Sequence, residues 1–302
     1  MQNQAVRGFV FMLMSTFFFA VAGPIAKTLY SIGWSPGAVV LMRLTGAAIL
    51  LLPPTLFHLR GRWNEVFGYR KTVVAYGVVS MAGVQAFFFL ALDHLSVAVA
   101  ILLEMMGAPL IIVFWLWARQ RRRPTGLTVI GVAVCLAGVI LVLDFRSTML
   151  SWHGVALAIA AAACFASYFL VSSKLTIPVP SLAFTGLGMT IGAVATASAG
   201  ISGLMPMELH YELVDFAGVR VSWFLPALLL VVFTVGAYIC GIIGLRGLGP
   251  TVGSFANLTE VPFAAIAAWI VLAETMTPPQ LVGGTVVILG IFFVKWGDIK
   301  SS

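Results

Sequence analysis

Two carboxylic acids stand alone in apolar surroundings. Glu104 lies in ILLEMMGAPLIIVFWLW, residues 101–117, five residues before Pro109, and Glu260 lies in SFANLTEVPFAAIAAWIVL, residues 254–272, two residues before Pro262. A charge facing hydrocarbon at mid-depth costs at least about 2.5–3.5 kcal/mol, so such side chains turn to an interior or a water-filled cavity. The prolines act on the same segments. Each removes the helical bond to the residue four before it, which predicts freed carbonyls at Met105 and Leu258. Freed backbone in an apolar layer needs neighbours or water. The pair therefore reads as two kinked segments lining a polar cavity, with acids able to handle a cargo or a proton. Protonated acids that merely hydrogen-bond for packing are the alternative, and it stays open.

Few other polar groups lie deep in apolar runs. Gln85 and Tyr238 are the next candidates for the cavity. Ser254 and Asn257 precede Glu260 by two turns and one, which places them near one face of a continuous helix. Tyr168 fits either a cavity wall or an interface. Arg43 pairs with an acid such as Glu274 or snorkels outward, and Lys27 snorkels near the end of its run. Pro24, Pro109 and Pro262 are the candidate hinges or gates. No H-E-x-x-H, P-loop, G-x-S-x-G or metal-ligand cluster is present, so neither an enzyme nor an ATP-driven pump is indicated, and no cofactor or metal is called for.

These residues need elements to position them. The chain is 61% hydrophobic and 9% charged, far from the roughly 25% charged residues of a soluble protein. Continuous apolar runs of about 20 residues predict helices crossing a hydrocarbon core about 30 Å thick. Ten are predicted, at 8–30, 36–57, 72–92, 95–118, 126–144, 153–173, 180–202, 222–245, 249–273 and 279–296. The first is read as an uncleaved span. Thirteen of the seventeen Lys and Arg fall in connections on one side and only Arg146 and Arg220 on the other. That side is cytoplasmic, with both termini. The net charge of +7 is thus a topology signal and not a nucleic-acid surface. Tryptophans 34, 115, 117, 152, 223 and 296 sit near span ends, as interfacial indoles do. Cys135, Cys164 and Cys240 lie inside apolar runs and read as small core residues. The outer segment 203–220 alternates acids with apolar residues and predicts a short interfacial helix, or a gate.

The two halves also resemble each other. At a shift of 153 residues Leu95 meets Leu248, Pro109 meets Pro262, Gln85 meets Tyr238 and Glu104 meets Asn257. At 152, Gly131 and Gly138 meet Gly283 and Gly290. Residues 1–147 and 148–302 then form two five-span repeats. Five is odd, so the repeats enter the membrane in opposite directions, the inverted layout of many secondary carriers, whose sites lie at mid-depth between repeats. Glu104 lies about 14 Å into the fourth span and Glu260 about 17 Å into the ninth, which is that depth. The fifth and tenth spans carry Gly131, Ala133, Ala137, Gly138, Gly283, Gly284 and Gly290, small residues that let helices pack closely. They are expected to lie outside the cavity.

At this point the chain resembles the EamA-type members of the drug/metabolite transporter superfamily. The resemblance rests on SPGAVVLMRLTGAAILLL around Arg43, on LDHLSVAVAILLEMMGAPLIIV, and on the stretch from Leu245 to Val294 with Glu260-x-Pro262 and Glu274, Gln280, Gly283 and Gly284. The first half departs where ARQRRRPTGLTVIG carries arginines opposite Glu274. The resemblance implies a multi-pass carrier of the bacterial inner membrane that exports amino acids by alternating access, with the aromatic amino-acid exporters as the nearest branch. Exporters of drugs, purines or other metabolites are the alternative, and a passive channel is the more distant one. The partners implied are a small-molecule cargo and the lipid bilayer, with no nucleic acid, and a monomer suffices.

Overall fold

The computed structural model describes residues 2–92, 94–95, 97–120, 125–142, 151–173, 178–272 and 278–301. Helices account for nearly all of them. In chain order they are α1 (Gln2–Tyr30), α2 (Pro36–His58), the short α3 (Trp63–Gly68) and α4 (Arg70–Ala75), a π-helical stretch (Tyr76–Gly83) that runs into α5 (Val84–Leu92), α6 (Val97–Gln120), α7 (Gly126–Val142), α8 (Trp152–Ser172), α9 (Ser181–Ile201), α10 (Phe224–Asn257), α11 (Glu260–Leu272) and α12 (Pro278–Ser301). Among the described residues, six helical segments are long and apolar enough to cross a membrane: Val6–Tyr30, Pro36–His58, Arg70–Ala91, Trp152–Ser172, Ser181–Ile201 and Phe224–Asn257. The chain is a multi-pass membrane protein.

Local chemistry starts and stops these helices. Ser35 caps α2 by accepting from the Ala38 amide, and Pro36 occupies the first helical position, where no amide donor is needed. Ser151 caps α8 in the same way through the Gly154 amide. The junction of the eighth and ninth predicted spans is a kink inside α10. Two helical pieces meet there at Gly249, whose φ of 78° and ψ of 170° are not helical, and the second piece runs on to Asn257. Positive φ suits glycine, and Pro250 begins the next helical piece. The predicted ninth span is then cut at Leu258–Thr259, so it is two short helices and not one kinked helix.

Helix pairing is set by close approach. α1 lies along α10, where a side chain on Gly244 would sit 2.9 Å from the Met12 amide nitrogen and one on Gly8 3.0 Å from the Cα of Gly247. α7 pairs with α12 on glycines: a Cβ on Gly131 would meet the Val294 nitrogen at 2.6 Å, and one on Gly138 the Val287 nitrogen at 2.6 Å. Gly290 faces Cys135. Ala133 and Ala137 are exposed and take no part, while Gly284 faces Pro262 of α11. α2 packs on α9, and α8 on α5, on α6 and on the π-helical stretch. The three cysteines are buried and unbridged.

The segment read as outer, 203–220, does not form a helix. Residues Leu213–Phe216 (β1) and Val219–Ser222 (β2) form an antiparallel hairpin pairing Leu213 with Ser222 and Phe216 with Val219. Ala217 and Gly218 both have positive φ, 54° and 81°, the primed turn that matches strand twist. Alternating residues thus took the two-residue period of a strand. The preceding residues are strapped to the α1–α2 turn. Ser35 Oγ donates to the Pro206 carbonyl at 2.7 Å and accepts from the Glu208 amide at 2.9 Å. Trp34 is buried there against Trp223 and donates to the His210 carbonyl, so this indole is a packing element and not an interfacial anchor.

Candidate functional site

Glu104 is buried on α6, 8% exposed. Glu260 is the first residue of α11 and half-buried. The two carboxyl groups lie within electrostatic reach of each other. Glu260 is placed by the break in front of it. Leu258 and Thr259 close tight turns on the Phe255 and Ala256 carbonyls, and α11 restarts with its amide end at Glu260, where the helix dipole favours negative charge. Pro262 therefore stands in a first helical turn, where proline is tolerated. The Leu258 carbonyl, expected to be freed, accepts from the Val261 amide at 3.2 Å. Pro109 and Pro24 lie inside α6 and α1, both buried.

Asn257 ties the two halves together. Its Nδ2 donates to Glu260 Oε2 at 3.2 Å and reaches Met105 Sδ of α6 at 3.8 Å. Ser254 is buried but turns back on its own helix, donating to the Thr251 carbonyl at 2.9 Å. The helix break thus brings Asn257 to Glu260, while Ser254 makes no described contact with it. Thr259 is a group that sequence reasoning misses: its hydroxyl donates to the Ala256 carbonyl and pairs with Thr16 of α1 at 3.0 Å. It is one of thirteen threonines in the predicted spans and carries no further signal.

Arg43 of α2 is half-buried and points at α10. Its Nε donates to Thr234 Oγ1 of α10 at 3.1 Å, and Thr234 donates in turn to the Leu230 carbonyl at 2.6 Å. The guanidinium charge reaches Glu260 and Tyr238. Glu274, the acid considered as its partner, lies outside the described residues. Lys27 is exposed near the end of α1.

An aromatic wall flanks these charges. Tyr168, 2% exposed, meets Tyr238 edge-on at 5.6 Å and stacks with Tyr76 at 6.2 Å and Phe165 at 6.0 Å. Tyr238 is buried and meets Phe19 edge-on at 5.0 Å. Tyr168 is therefore interior, not interfacial, and its hydroxyl is buried with no hydrogen-bond partner among the described residues. Such an orphan is unusual in a native structure and calls for a ligand or water. Tyr76, fully buried on the π-helical stretch, accepts from Ser172 at 3.2 Å and is absent from the sequence-based candidates. Its signal is a π-helix, which recurs at functional sites but has no simple sequence period. Gln85 follows that stretch on α5, half-buried.

The profile of the EamA-like transporter family matches twice, over residues 6–144 and 152–296. The chain belongs to the EamA-like transporter family. It is a transporter and not an enzyme. Among relatives, the uncharacterized transporter YwfM of Bacillus subtilis is 24% identical over 97% of this chain and 95% of its own length. The threonine/homoserine exporter RhtA of Escherichia coli K12 is 26% identical over 85% of this chain and 80% of its own. A crystal structure described without a function superposes with a TM-score of 0.72 at 17% identity, covering 97% of this chain and 96% of that one. This last likeness speaks to the fold.

Proposed function

We propose that this EamA-family protein is a secondary carrier of the bacterial inner membrane that exports aromatic or other neutral amino acids, or similar small metabolites, by alternating access. Its ten spans form two inverted repeats, 1–147 and 148–302, with both termini cytoplasmic. One observation carries the reading: an acid from the first repeat, Glu104, and the Asn257–Glu260 pair of the second converge beside a break between two helices. Discontinuous helices at mid-depth hold cargo in carriers built from inverted repeats.

The chemistry fits a zwitterion. Two carboxyl groups in mutual reach repel when both are ionised, and a cargo ammonium between them removes that repulsion. Arg43 and the orphan hydroxyl of Tyr168 suit a carboxylate, and the Tyr76–Tyr168–Tyr238 wall suits an aromatic or apolar side chain. The name of RhtA supports the small, neutral end of this cargo range. The packing also supports the repeat. α1 meets α10 and α11 as α8 meets α5 and α6, while α2–α9 and α7–α12 are each paired with their counterpart. The α7–α12 pair lies at the periphery. Pro109 within α6 and the break before Pro262 are the hinges.

The test is counterflow into proteoliposomes preloaded with unlabelled threonine, homoserine, phenylalanine, tyrosine or tryptophan, with labelled phenylalanine or threonine outside. Saturable stimulated uptake with a subset of internal cargoes is expected. No stimulation by any neutral amino acid, in folded protein, would remove amino acids as cargo.

A further inference from the structure

A cavity of about 660 Å³ lies between α1, α11 and α12, on the outside of the helix bundle. Its walls are Phe9 and Leu13 of α1, Pro262 and Ile266 of α11, and Ile288 and Phe292 of α12. Ile266, Ile288 and Phe292 are 42–57% exposed, so the cavity opens sideways. Thr259 also borders it, but its hydroxyl is engaged by Ala256 and Thr16. A hydrated or charged ligand therefore finds little to bind. Hydrocarbon does.

The dimensions narrow the occupant. Along α12 the wall runs from Ile288 to Trp296, about 12 Å at 1.5 Å per residue. That is close to the roughly 15 Å depth of one leaflet of a 30 Å core. At the inner end Phe263, itself lining the cavity, meets Phe17 edge-on at 6.0 Å, next to the mid-depth break. At the other end Trp296 marks the interface, where indoles settle. Apart from Thr259, the lining along that length is aliphatic, aromatic or proline, which suits acyl chains.

We propose that this cavity is a binding slot for the acyl chains of a phospholipid in the leaflet on the side of the chain termini, the cytoplasmic leaflet on the orientation read from the basic connections. Thr259 and Pro262 line the slot on either side of Glu260, so the lipid abuts the α10–α11 break. An occupied slot braces the outer wall of the mid-depth site. The inference does not rest on the cargo: a lipid slot stands whether the carrier moves amino acids or other metabolites.

The experiment places the full chain in nanodiscs containing phosphatidylglycerol with a mid-chain diazirine, irradiates them and maps adducts by peptide mass spectrometry. Adducts are expected to concentrate at Leu13, Ile266, Ile288 and Phe292. They should fall about tenfold in either Leu13→Trp or Ile288→Trp, the change that follows from displacing about two buried methylenes. Two variants on different helices guard against one misfolding. Labelling spread evenly over lipid-facing residues such as Phe114, Ile159 and Val194 would overturn the slot. So would adduct yields unchanged in both variants, or α12-to-α12 cross-links showing that a second copy covers it. Failure of amino-acid counterflow would leave this labelling as it is.

Discussion

Replacing Glu260 with glutamine separates charge from shape. The amide oxygen that Glu260→Gln introduces can still accept from Asn257 Nδ2, as Oε2 does at 3.2 Å, so the link to Met105 and the start of α11 survive. What disappears is the charge that Arg43 and Glu104 sense. A hydrogen bond to a charged group contributes about 1.5–3 kcal/mol, against about 1 kcal/mol for a neutral one. If Glu260 holds the cargo ammonium, Glu260→Gln keeps a neutral bond and loses about 0.5–2 kcal/mol, so transport efficiency should fall by roughly 2-fold to 30-fold, at 1.4 kcal/mol per decade. The folded fraction and thermal midpoint should stay near those of the parent. Glu260→Ala, which also loses the bond to Asn257, should lower both transport and stability. The assay is counterflow in proteoliposomes at matched protein levels, with initial rates across cargo concentration. Parental rates from well-folded Glu260→Gln would take Glu260 out of the mechanism and leave it a packing residue.

Other expectations follow from the same geometry. Tyr168→Phe removes a buried hydroxyl that has no partner, so thermal stability should hold or rise by about 1 kcal/mol while the KM for cargo rises; an unchanged KM would separate Tyr168 from the site. Thr234→Val strands Arg43 Nε, bonded at 3.1 Å, and should cost about 1–3 kcal/mol in chemical denaturation, with Thr234→Ser restoring most of it. Gly138→Leu drives a side chain into the backbone of α12 at Val287 and Gly283, and overpacking of this kind costs about 1–3 kcal/mol or more; it should cut the folded yield in detergent, while Ala137→Leu on the exposed face should not. Ser35→Ala removes a helix cap and two bonds to residues 206 and 208, so residues 203–212 should become more accessible to protease added on the face of the membrane that exposes them.

Much of the fold is legible because membrane burial is a local, one-dimensional property. A run of apolar residues is stable in hydrocarbon as a helix whatever its neighbours, and the helices at Trp152–Ser172 and Ser181–Ile201 end within a residue or so of where the sequence puts them. The glycines of α7 and α12 are readable as a packing stripe for the same reason. What local patterning mis-states are the points where backbone geometry changes. A proline in an apolar run reads as a kink, yet Pro262 lies in the first turn of α11, because the break falls at Leu258–Thr259. The outer segment reads as an amphipathic helix, yet its primed turn at Ala217–Gly218 makes a hairpin. The partners of Arg43 and Tyr168 are illegible, since Thr234 lies 191 residues from Arg43 and the aromatic wall draws on α1, α8, α10 and the π-helical stretch.

The sequence by itself determined that this chain lives in a membrane, where its apolar helices lie, and which few polar groups must turn away from lipid. These follow from the cost of exposing charge or backbone to hydrocarbon, a cost each segment meets alone. Only the tertiary structure decided that the ninth predicted helix is divided in front of Glu260, that Asn257 bridges to Met105, and that Tyr168 keeps an unanswered hydroxyl among tyrosines. Those depend on how helices distant in the chain are set against one another, through glycine contacts a few ångströms wide, and no period in the sequence encodes that placement.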